Sequence, residues 1–488
     1  MRRNKILSGL VLLTAAMLLA VSCAVNPVTG KRQIMLMSEA QEVALGVSYD
    51  PQVLATFGVY DDPGLQSFVQ AKGTEMGKLS HRPNLEYHVK VVDSPVVNAF
   101  AVPGGFIYLT RGILAQFNNE AELMGVLGHE MGHVTARHSV SQQTKQQLGT
   151  LLLIGGMIAS EKFANYAQYA MQGMELLFLS FSRDDERQAD ALGCEYSSRM
   201  GYDGTKMADF FNVLNKMNMA HSQGGVPTFL STHPDPGDRY NAVMQLSRAW
   251  QDSLKLPSYK VNTDSYLQLI DGIIYGEDPK QGYTDGNTFY HPELKFKFSY
   301  PPGWQLTNAP TQVTVQPQDG RALILFTLAN QKTLQSAVDS TMAAYGLQLQ
   351  RSERRTINGL PSIITLSMQQ AKDQSTGAVS TNMVLSYFIE YGSLIYLFHG
   401  VSTEADFNNY VSTMESSMKT FSNLTDPNRI NVKPRRIAVK RVQRAGTLAS
   451  AFSYYGMKQD IWEELALLNN LELNDQVAAG KMIKIITQ

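Results

Sequence analysis

The sequence predicts a multidomain α+β protein: a mainly helical domain with a small sheet, an α+β domain, and a small strand–helix–helix–strand unit. Length is the first observation, because 488 residues at roughly 100 to 200 per domain correspond to about three domains. The second is a change of apolar pattern, which is helical over most of residues 38–250 and has period two in several segments after about residue 287. The third is composition, since 44% hydrophobic and 17% charged residues are typical of folded chains.

The first 22 residues have the pattern of a bacterial secretory signal. Three basic residues near the start precede a mostly apolar run, Ile6 to Val21, and then Ser22. The run from Leu19 to Cys23 resembles a lipobox, in which the cysteine becomes the N-terminus of the mature protein and carries acyl chains. We therefore expect residues 1–22 to be removed and Cys23 to be lipidated. A simple signal anchor is the alternative.

The predicted lipidation also implies a location in the cell. It would be exported, anchored in the bacterial cell envelope through Cys23, and face the periplasm. Ala24 after the cysteine favours the outer membrane under the enterobacterial sorting rule. Residues 23–37 are then predicted to be a lipidated linker.

Residues 38–250 contain the predicted helical domain. Two short strand segments, Leu85–Val92 and Ala99–Leu109, interrupt the helical pattern. The apolar segment Leu148–Ala159 is too short to span a membrane, and we interpret it as a buried helix, with an interfacial segment as the alternative.

The remaining elements follow in order. Prolines and glycines interrupt residues 251–286, which we interpret as a connector. In residues 287–422, several segments alternate between apolar and polar residues, which predicts half-buried strands, and two predicted helices flank them. Residues 423–434 are predicted to form a polar linker. Residues 435–488 form the final small unit.

Charge and cysteine content exclude some functions. The formal net charge is -1, so no basic excess indicates a nucleic-acid partner. Only two cysteines occur, which excludes a disulfide framework, and Cys194 is predicted to be a buried thiol.

The strongest chemical motif is His129-Glu130-Met131-Gly132-His133, on a segment with helical periodicity. Residues four apart share a helix face, so His129 and His133 can bind one Zn²⁺. Glu130 in the same turn can take a proton from a water that the metal activates. The motif therefore predicts one zinc ion per chain.

Zinc needs a third protein ligand. His138 would point away from the other two histidines if the helix continued, which favours a structural or supporting role. On a second predicted helix, Glu186 and Asp190 share a face. Glu186 is the better candidate ligand, and Asp190 could hold a ligating histidine by a hydrogen bond. A solvated charged face is the alternative for these two residues.

These residues resemble the zinc metalloendopeptidases related to HtpX and the CAAX prenyl proteases, family 48 of the metallopeptidases. The resemblance covers about residues 24–250 and is closest to an exported bacterial lipoprotein branch. It rests on the segments Asn26–Arg32, Asn98–Gly105, His129–His133, Glu186 with Asp190, and Ser231–Pro234 with Arg239.

The resemblance implies a gluzincin-type fold and a role for each site residue. His129, His133 and Glu186 would be the zinc ligands, Glu130 the general base and then acid, and Asp190 a support. Asn98, Ala99 and Phe100 would belong to a strand that pairs with an extended peptide substrate. Arg239 could stabilise the tetrahedral oxyanion. His233 could assist it or occupy the open zinc position in a resting state.

The C-terminal parts resemble binding modules. Residues 287–422 resemble the α+β fold of PsbP and Mog-type domains, with no catalytic constellation. Residues 437–486 resemble a divergent LysM domain, which implies either peptidoglycan binding or packing on a neighbour.

The favoured hypothesis is a metalloendopeptidase acting on proteins of the envelope, in quality control by family resemblance. The rival is an envelope chaperone or assembly scaffold with residual protease activity, because a long stretch of chain lies beyond the peptidase resemblance.

Overall fold

The computed structural model describes residues 23–144, 181–220, 229, 232–233, 238–309, 311–372 and 379–488. The predicted signal, residues 1–22, and the predicted buried helix, residues 148–159, lie outside the described residues. None of the helices in the described ranges is long and apolar enough to cross a membrane.

The chain divides into two compact units. The first contains Gly58–Gly276 and Arg436–Thr487 together with the chain up to Leu54. The second contains Glu277–Arg435, with Ala55–Phe57 and Gln488. The C-terminal residues that the sequence suggested as a separate small unit are thus grouped with the helical domain.

The first unit begins with an ordered hairpin where the sequence suggested a linker. Strand β1 (Cys23–Val25) pairs antiparallel with β2 (Arg32–Ile34). The Asn26 side chain closes the turn by accepting hydrogen bonds from the backbone N–H groups of Val28 and Thr29, at 2.9 and 3.0 Å. Side-chain capping of this kind fixes a turn without other packing.

The rest of the helical domain agrees with the prediction of many helices and one small sheet. Strands β3 (His88–Val92), β4 (Ala99–Val102) and β5 (Phe106–Thr110) form a sheet in the order β3-β5-β4, with β4 antiparallel to β5. The helices are α1 (Glu39–Phe57), α2 (Pro63–Leu79), α3 (Arg111–Gln116), α4 (Glu120–Thr135), α5 (Arg183–Arg199), α6 (Thr205–Ala220), α7 (Arg239–Leu254) and α8 (Thr263–Leu269).

Helix α4 is buried along its whole length, and glycines let α5 approach it closely. A Cβ atom on Gly128 would lie 3.0 Å from the Cα of Gly193, and one on Gly132 would lie 3.1 Å from the Cα of Ala189. Contacts this short exclude a side chain unless the backbone moves. The two helices that carry the predicted metal ligands are therefore held in contact.

The described residues of the second unit form two sheets and three α-helices, an α+β arrangement like the one predicted. Phenylalanine side chains from both sheets, including Phe289, Phe298 and Phe398, fill its core. The seven-stranded sheet has the order β12-β13-β14-β15-β11-β10-β9, and the four-stranded sheet has the order β16-β8-β7-β6. The strands are β6 (Tyr283–Asp285), β7 (Thr288–His291), β8 (Phe296–Ser299), β9 (Gln305–Ala309), β10 (Gln312–Gln316), β11 (Ala322–Ala329), β12 (Gln348–Ile357), β13 (Leu360–Lys372), β14 (Val379–Tyr391), β15 (Leu394–Thr403) and β16 (Ser422–Asn423), and the helices are α9 (Leu334–Tyr345), α10 (Phe407–Met418) and α11 (Pro427–Ile430).

The C-terminal module, residues 436–487, has the strand–helix–helix–strand pattern that the sequence predicts. Its outer strands pair with each other, Ile437 opposite Ile486. Its apolar side chains belong to the same buried cluster as those of α3 and α4. The elements are β17 (Arg436–Arg441), β18 (Gly446–Thr447), α12 (Leu448–Tyr454), α13 (Trp462–Leu468), β19 (Gln476–Val477) and β20 (Met482–Thr487).

A buried lysine joins this module to the helical domain. The side chain of Lys484 on β20 is fully buried. Its ammonium group donates hydrogen bonds to the carbonyl oxygens of Ala115, Gln116 and Phe117 at 2.9, 3.1 and 3.0 Å. These carbonyls lie at the C-terminal end of α3, where a helix presents partial negative charge.

Candidate metal centre

Helix α4 places the two motif histidines on one face. Asn119 caps the helix by accepting a hydrogen bond from the backbone N–H of Glu122. One turn apart along the helix, the Nε2 atoms of His129 and His133 lie 3.1 Å from each other. Both side chains are buried, so the pair is withdrawn from bulk water.

Helix α5 brings the predicted third ligand to the same point. Ser182 and Asp185 form a capping box that fixes the start of this helix. One turn later, the Glu186 carboxylate lies 3.5 Å from Nε2 of His129 and 3.4 Å from Nε2 of His133. Burial alone would raise the pKa of Glu186, but the neighbouring histidines, with His233 contributing most, hold that pKa well below its usual range. Glu186 is therefore an anionic group among imidazoles rather than part of a solvated face.

Asp190 supports His129, as the sequence suggested. Its carboxylate lies 2.9 Å from Nδ1 of His129, which leaves Nε2 directed at Glu186 and His133. The guanidinium of Arg239 donates to both oxygens of Asp190, at 2.8 and 2.7 Å. Burial would raise the pKa of Asp190, and the positive charge of Arg239 lowers it.

These contacts give Arg239 a position that sequence reasoning did not assign. Its Nη2 atom also lies 3.3 Å from the Glu186 carboxylate, and its guanidinium lies over the ring of Phe211. Arg239 thus connects Asp190 and Glu186 within the cluster. Its suggested role at the oxyanion stays a prediction.

The orientation expected for His138 is wrong, although its supporting role fits the geometry. Helix α4 ends at Thr135, and Arg137 has a φ of 59°, so the chain turns back instead of continuing the helix. Nδ1 of His138 then lies 3.0 Å from Nδ1 of His133. His138 is positioned to hold His133 as Asp190 holds His129, and its other ring nitrogen lies 2.9 Å from Gln188.

His233 completes a group of four possible ligands. Its Nδ1 atom lies 3.2 Å from Nε2 of His129 and 3.1 Å from the Glu186 carboxylate. One donor atom from each of His129, His133, Glu186 and His233 lies within 4.8 Å of the others, and all four residues are buried. Among the described residues this is the one such group of histidine, cysteine or acidic side chains.

Glu130 faces the same cluster without a hydrogen bond. Neither of its buried carboxylate oxygens has a hydrogen-bond partner in the described part of the chain, and Nε2 of His233 lies 3.5 Å from one of them. Burial raises the pKa of Glu130, opposed by the charge of His233. A buried carboxylate without a hydrogen bond is costly, which indicates a functional position.

The donor set fits zinc. Zn–N bonds of about 2.0–2.1 Å in a tetrahedron place neighbouring donor atoms roughly 3.3 Å apart. The separations between His129, His133 and Glu186 range from 3.1 to 3.5 Å. Two imidazoles and a carboxylate are also a ligand set that zinc enzymes use.

The strand for which we predict substrate pairing lies at the edge of its sheet in the described part of the chain. Ala99 and Phe100 lie on β4, which is the last strand of its three-stranded sheet and has β5 on one side. Asn98, just before the strand, is buried, and its backbone carbonyl accepts a hydrogen bond from the backbone N–H of Thr110. An edge strand of this kind can pair with an extended chain.

Sequence reasoning missed two aromatic residues at the centre. The ring of Phe181 stacks on His133 with centroids 4.0 Å apart, and the ring of Phe229 stacks on His233 at 4.5 Å. Both phenylalanines lie close in sequence to a recognised motif, but a lone aromatic residue in an apolar segment has no distinguishing pattern. They shape the apolar wall of the site.

Asp190→Asn is expected to lower the affinity for zinc by about 10- to 100-fold. The amide cannot keep both the His129 contact and the ion pair with Arg239, so the ligating ring loses its fixed orientation. Competition with a chromophoric chelator measures the effect. Asp184→Asn on the same helix is the matched control, because that side chain is 88% exposed and pairs only at the surface with Arg187. Equal affinities for the two variants would refute the role given to Asp190.

Two histidines of a His-Glu-x-x-His helix, a glutamate from a second helix and a buried glutamate without a hydrogen bond are the arrangement typical of zinc metallopeptidase centres. Residues 63–247 match Peptidase family M48. This part of the chain is thus similar to the family M48 peptidases, in agreement with the sequence resemblance.

Curated proteins are similar to part of the chain. The beta-barrel assembly-enhancing protease of Yersinia pestis is 30% identical over 211 residues, 42% of this chain and 43% of the relative. The mitochondrial metalloendopeptidase OMA1 of Arabidopsis thaliana is 29% identical over 200 residues, 41% of this chain and 39% of the relative. The chain thus spans about two fifths of the length of the curated relatives it matches.

One solved structure aligns with part of the chain. The solution structure of cyanobacterial PsbP from Synechocystis aligns with 29% of this chain and 94% of its own, at 12% identity and a TM-score of 0.23.

Proposed function

We propose that this protein is a zinc-dependent metalloendopeptidase that hydrolyses peptide bonds of bacterial envelope proteins. The observation that carries the proposal is the buried group of His129, His133 and Glu186 with the unbonded carboxylate of Glu130 beside it. The match to family M48 supports the same reaction class.

Each residue has a defined task in this proposal. His129, His133 and Glu186 would hold Zn²⁺, whose chemistry is to polarise the scissile carbonyl and to lower the pKa of a water. Glu130 accepts the proton of the attacking water and later returns it to the leaving amine. Asp190 keeps the His129 ring oriented, and Arg239 keeps Asp190 in place.

Substrate would bind as an extended chain along β4. Because β4 is an edge strand, its backbone groups can pair with a peptide through main-chain hydrogen bonds, which depend little on sequence. Such binding suits unfolded or unassembled chains, whose backbone groups are available. A role in envelope protein quality control follows, and the names of the relatives, an assembly-enhancing protease among them, support it.

His233 is proposed to occupy the fourth coordination position of the metal in the resting enzyme. Its Nδ1 atom lies as close to His129 and Glu186 as those ligands lie to each other. Water or substrate would have to displace the imidazole before reaction. The alternative, assistance to the oxyanion, would require His233 to remain near the scissile bond.

The other proposals concern location. Cys23 would be acylated and hold the chain in the envelope, at the outer membrane. Peptidoglycan binding by residues 437–486 is the less favoured proposal for the C-terminal module, because that module contributes side chains to the buried cluster of the peptidase unit.

The test uses the chain without its predicted signal, residues 23–488, purified with zinc. We expect about one zinc per chain, cleavage of casein, loss of cleavage after chelation and recovery when zinc is returned. His233→Ala should cleave faster than wild type if the imidazole blocks the site, and more slowly if it assists. A zinc-loaded protein whose wild type and His233→Ala form both fail to cleave would overturn the proposed activity.

A further inference from the structure

The N-terminal hairpin is attached rigidly to the end of the metal-binding helix. The Asn26 side chain donates a hydrogen bond to the carbonyl of Ala136, the residue that ends α4, at 3.3 Å. The backbone N–H of Leu36 donates to the Thr144 hydroxyl at 3.3 Å, and the Arg137 guanidinium donates to the Met37 carbonyl at 2.9 Å. The hairpin is therefore fixed at both its ends to the chain that follows α4.

Little free chain lies between Cys23 and the point where the hairpin is attached to the end of α4. Asn26 is the third residue after Cys23, and three residue steps span at most about 10 Å of extended chain. His133 lies three residues before Ala136, or about 5 Å along the helix axis. Cys23 and the metal-binding histidines are thus separated by a path on the order of 20 Å.

The exposed surface of the hairpin suits a lipid headgroup layer. Val25 and Arg32 are opposite each other in the register, so their side chains lie on the same face, and both are exposed. Val25 is 57% exposed and Leu36 is 43% exposed, while Lys31 at the turn adds a second exposed cation. Apolar side chains beside cations fit an anionic membrane surface, which attracts nearby basic groups.

We propose that residues 23–37 seat the peptidase unit directly on the anionic lipid surface that holds the acylated Cys23. The inference rests on the proposed lipidation and peptidase activity and adds a substrate class to them. The metal centre would work within about 2–3 nm of the bilayer. The preferred substrates are then chain segments next to the membrane surface, such as the flanks of unassembled membrane proteins, rather than freely diffusing proteins.

The test attaches residues 23–488 through Cys23 to a maleimide lipid in vesicles of phosphatidylethanolamine and phosphatidylglycerol. The attachment is selective, because Cys194 is buried and burial raises the pKa of its thiol to about 12. The matched variant carries a flexible insertion of about 20 Gly and Ser residues between Ala24 and Val25, a spacer with a mean length of roughly 25 Å.

The first readout is acetylation of surface lysines, followed by mass spectrometry, and it requires no enzymatic activity. We expect Lys31 to react several-fold more slowly on vesicles than in solution, while Lys481, an exposed lysine on the C-terminal module, changes little. The insertion should restore the reactivity of Lys31. Unchanged Lys31 reactivity on vesicles would overturn the docking proposal.

The second readout compares one peptide attached to lipid by a short spacer or by a spacer of about 100 Å. The zinc-loaded wild type should cleave the short-spacer peptide several-fold faster, and the insertion variant should lose this preference while cleaving soluble casein at the wild-type rate. Equal cleavage of both peptides by the wild type would refute the substrate class. Failure to cleave casein as well would instead refute the proposed function, and the lysine readout would still decide the docking.

Discussion

Glu130→Gln is expected to lower casein hydrolysis by about 10²- to 10⁴-fold while leaving the zinc content unchanged. Glutamine has nearly the volume of glutamate but cannot accept a proton, and Glu130 is not placed among the three proposed ligands. Its carboxylate oxygens are buried and have no hydrogen-bond partner among the described residues, so the substitution breaks no hydrogen bond there. Zinc analysis and initial rates on the same preparation measure both quantities.

The matched control is Glu75→Gln, an exposed glutamate on α2, which should keep both zinc and activity. A Glu130→Gln variant that retained more than a tenth of the wild-type rate would remove Glu130 from the reaction. Loss of zinc in the same variant would indicate that Glu130 helps to hold the metal.

The same variant separates the peptidase from its rival. If the protein acts in the cell as a chaperone or scaffold, Glu130→Gln should restore every envelope phenotype of a deletion strain. If hydrolysis is the cellular role, the variant should fail to restore those phenotypes although it is folded and zinc-loaded.

Lys484→Met is expected to lower the free energy of unfolding of the peptidase unit by about 3–5 kcal/mol. Methionine fills most of the space but leaves the carbonyls of Ala115, Gln116 and Phe117 without their donor. Each buried acceptor left unpaired costs about 1–3 kcal/mol. Denaturant unfolding monitored by circular dichroism measures the change.

The buried charges near Lys484 also predict a loss of stability in this variant. Burial lowers the pKa of Lys484 to about 7, opposed by Glu122 on α4, and burial raises the pKa of Glu122 to about 7. Removing the ammonium group takes away a positive charge that lowers the pKa of Glu122, although the hydrogen bonds from Asn118 and Asn119 remain. The start of the metal-binding helix should therefore be less stable in the variant.

Lys481→Met is the control for this substitution, because Lys481 precedes the same strand and is exposed. Surface changes of this kind usually alter the free energy of unfolding by less than about 0.5 kcal/mol. A loss below 1 kcal/mol in Lys484→Met would contradict the view that the C-terminal module is an integral part of the peptidase unit.

The elements with strong local patterns could be predicted from the sequence. The helical spacing of His129 and His133 and the shared face of Glu186 and Asp190 depend only on the geometry of each helix. The strands around Pro103 and Gly104 and the final strand–helix–helix–strand pattern also have local signals. In each case, residues close in sequence determine the periodicity.

The orientation of His138 could not be predicted in this way. The sequence after His133 has no strong helix breaker, so continuation of the helix was the natural assumption. The structure ends α4 at Thr135, where Arg137 makes an ion pair with Glu42 at 2.8 Å. A partner 95 residues away in sequence therefore accompanies the turn that brings His138 to His133.

The sequence by itself predicted the metal-binding motif, the proton acceptor and the family resemblance, because these follow from residue types at short fixed spacings. Only the tertiary structure decided how His233 and Arg239 join the centre, how the N-terminal hairpin attaches to α4, and where Lys484 is buried. Each of these is a contact between segments distant in the chain. Such contacts depend on packing and on the pairing of buried charges, which local periodicity does not encode.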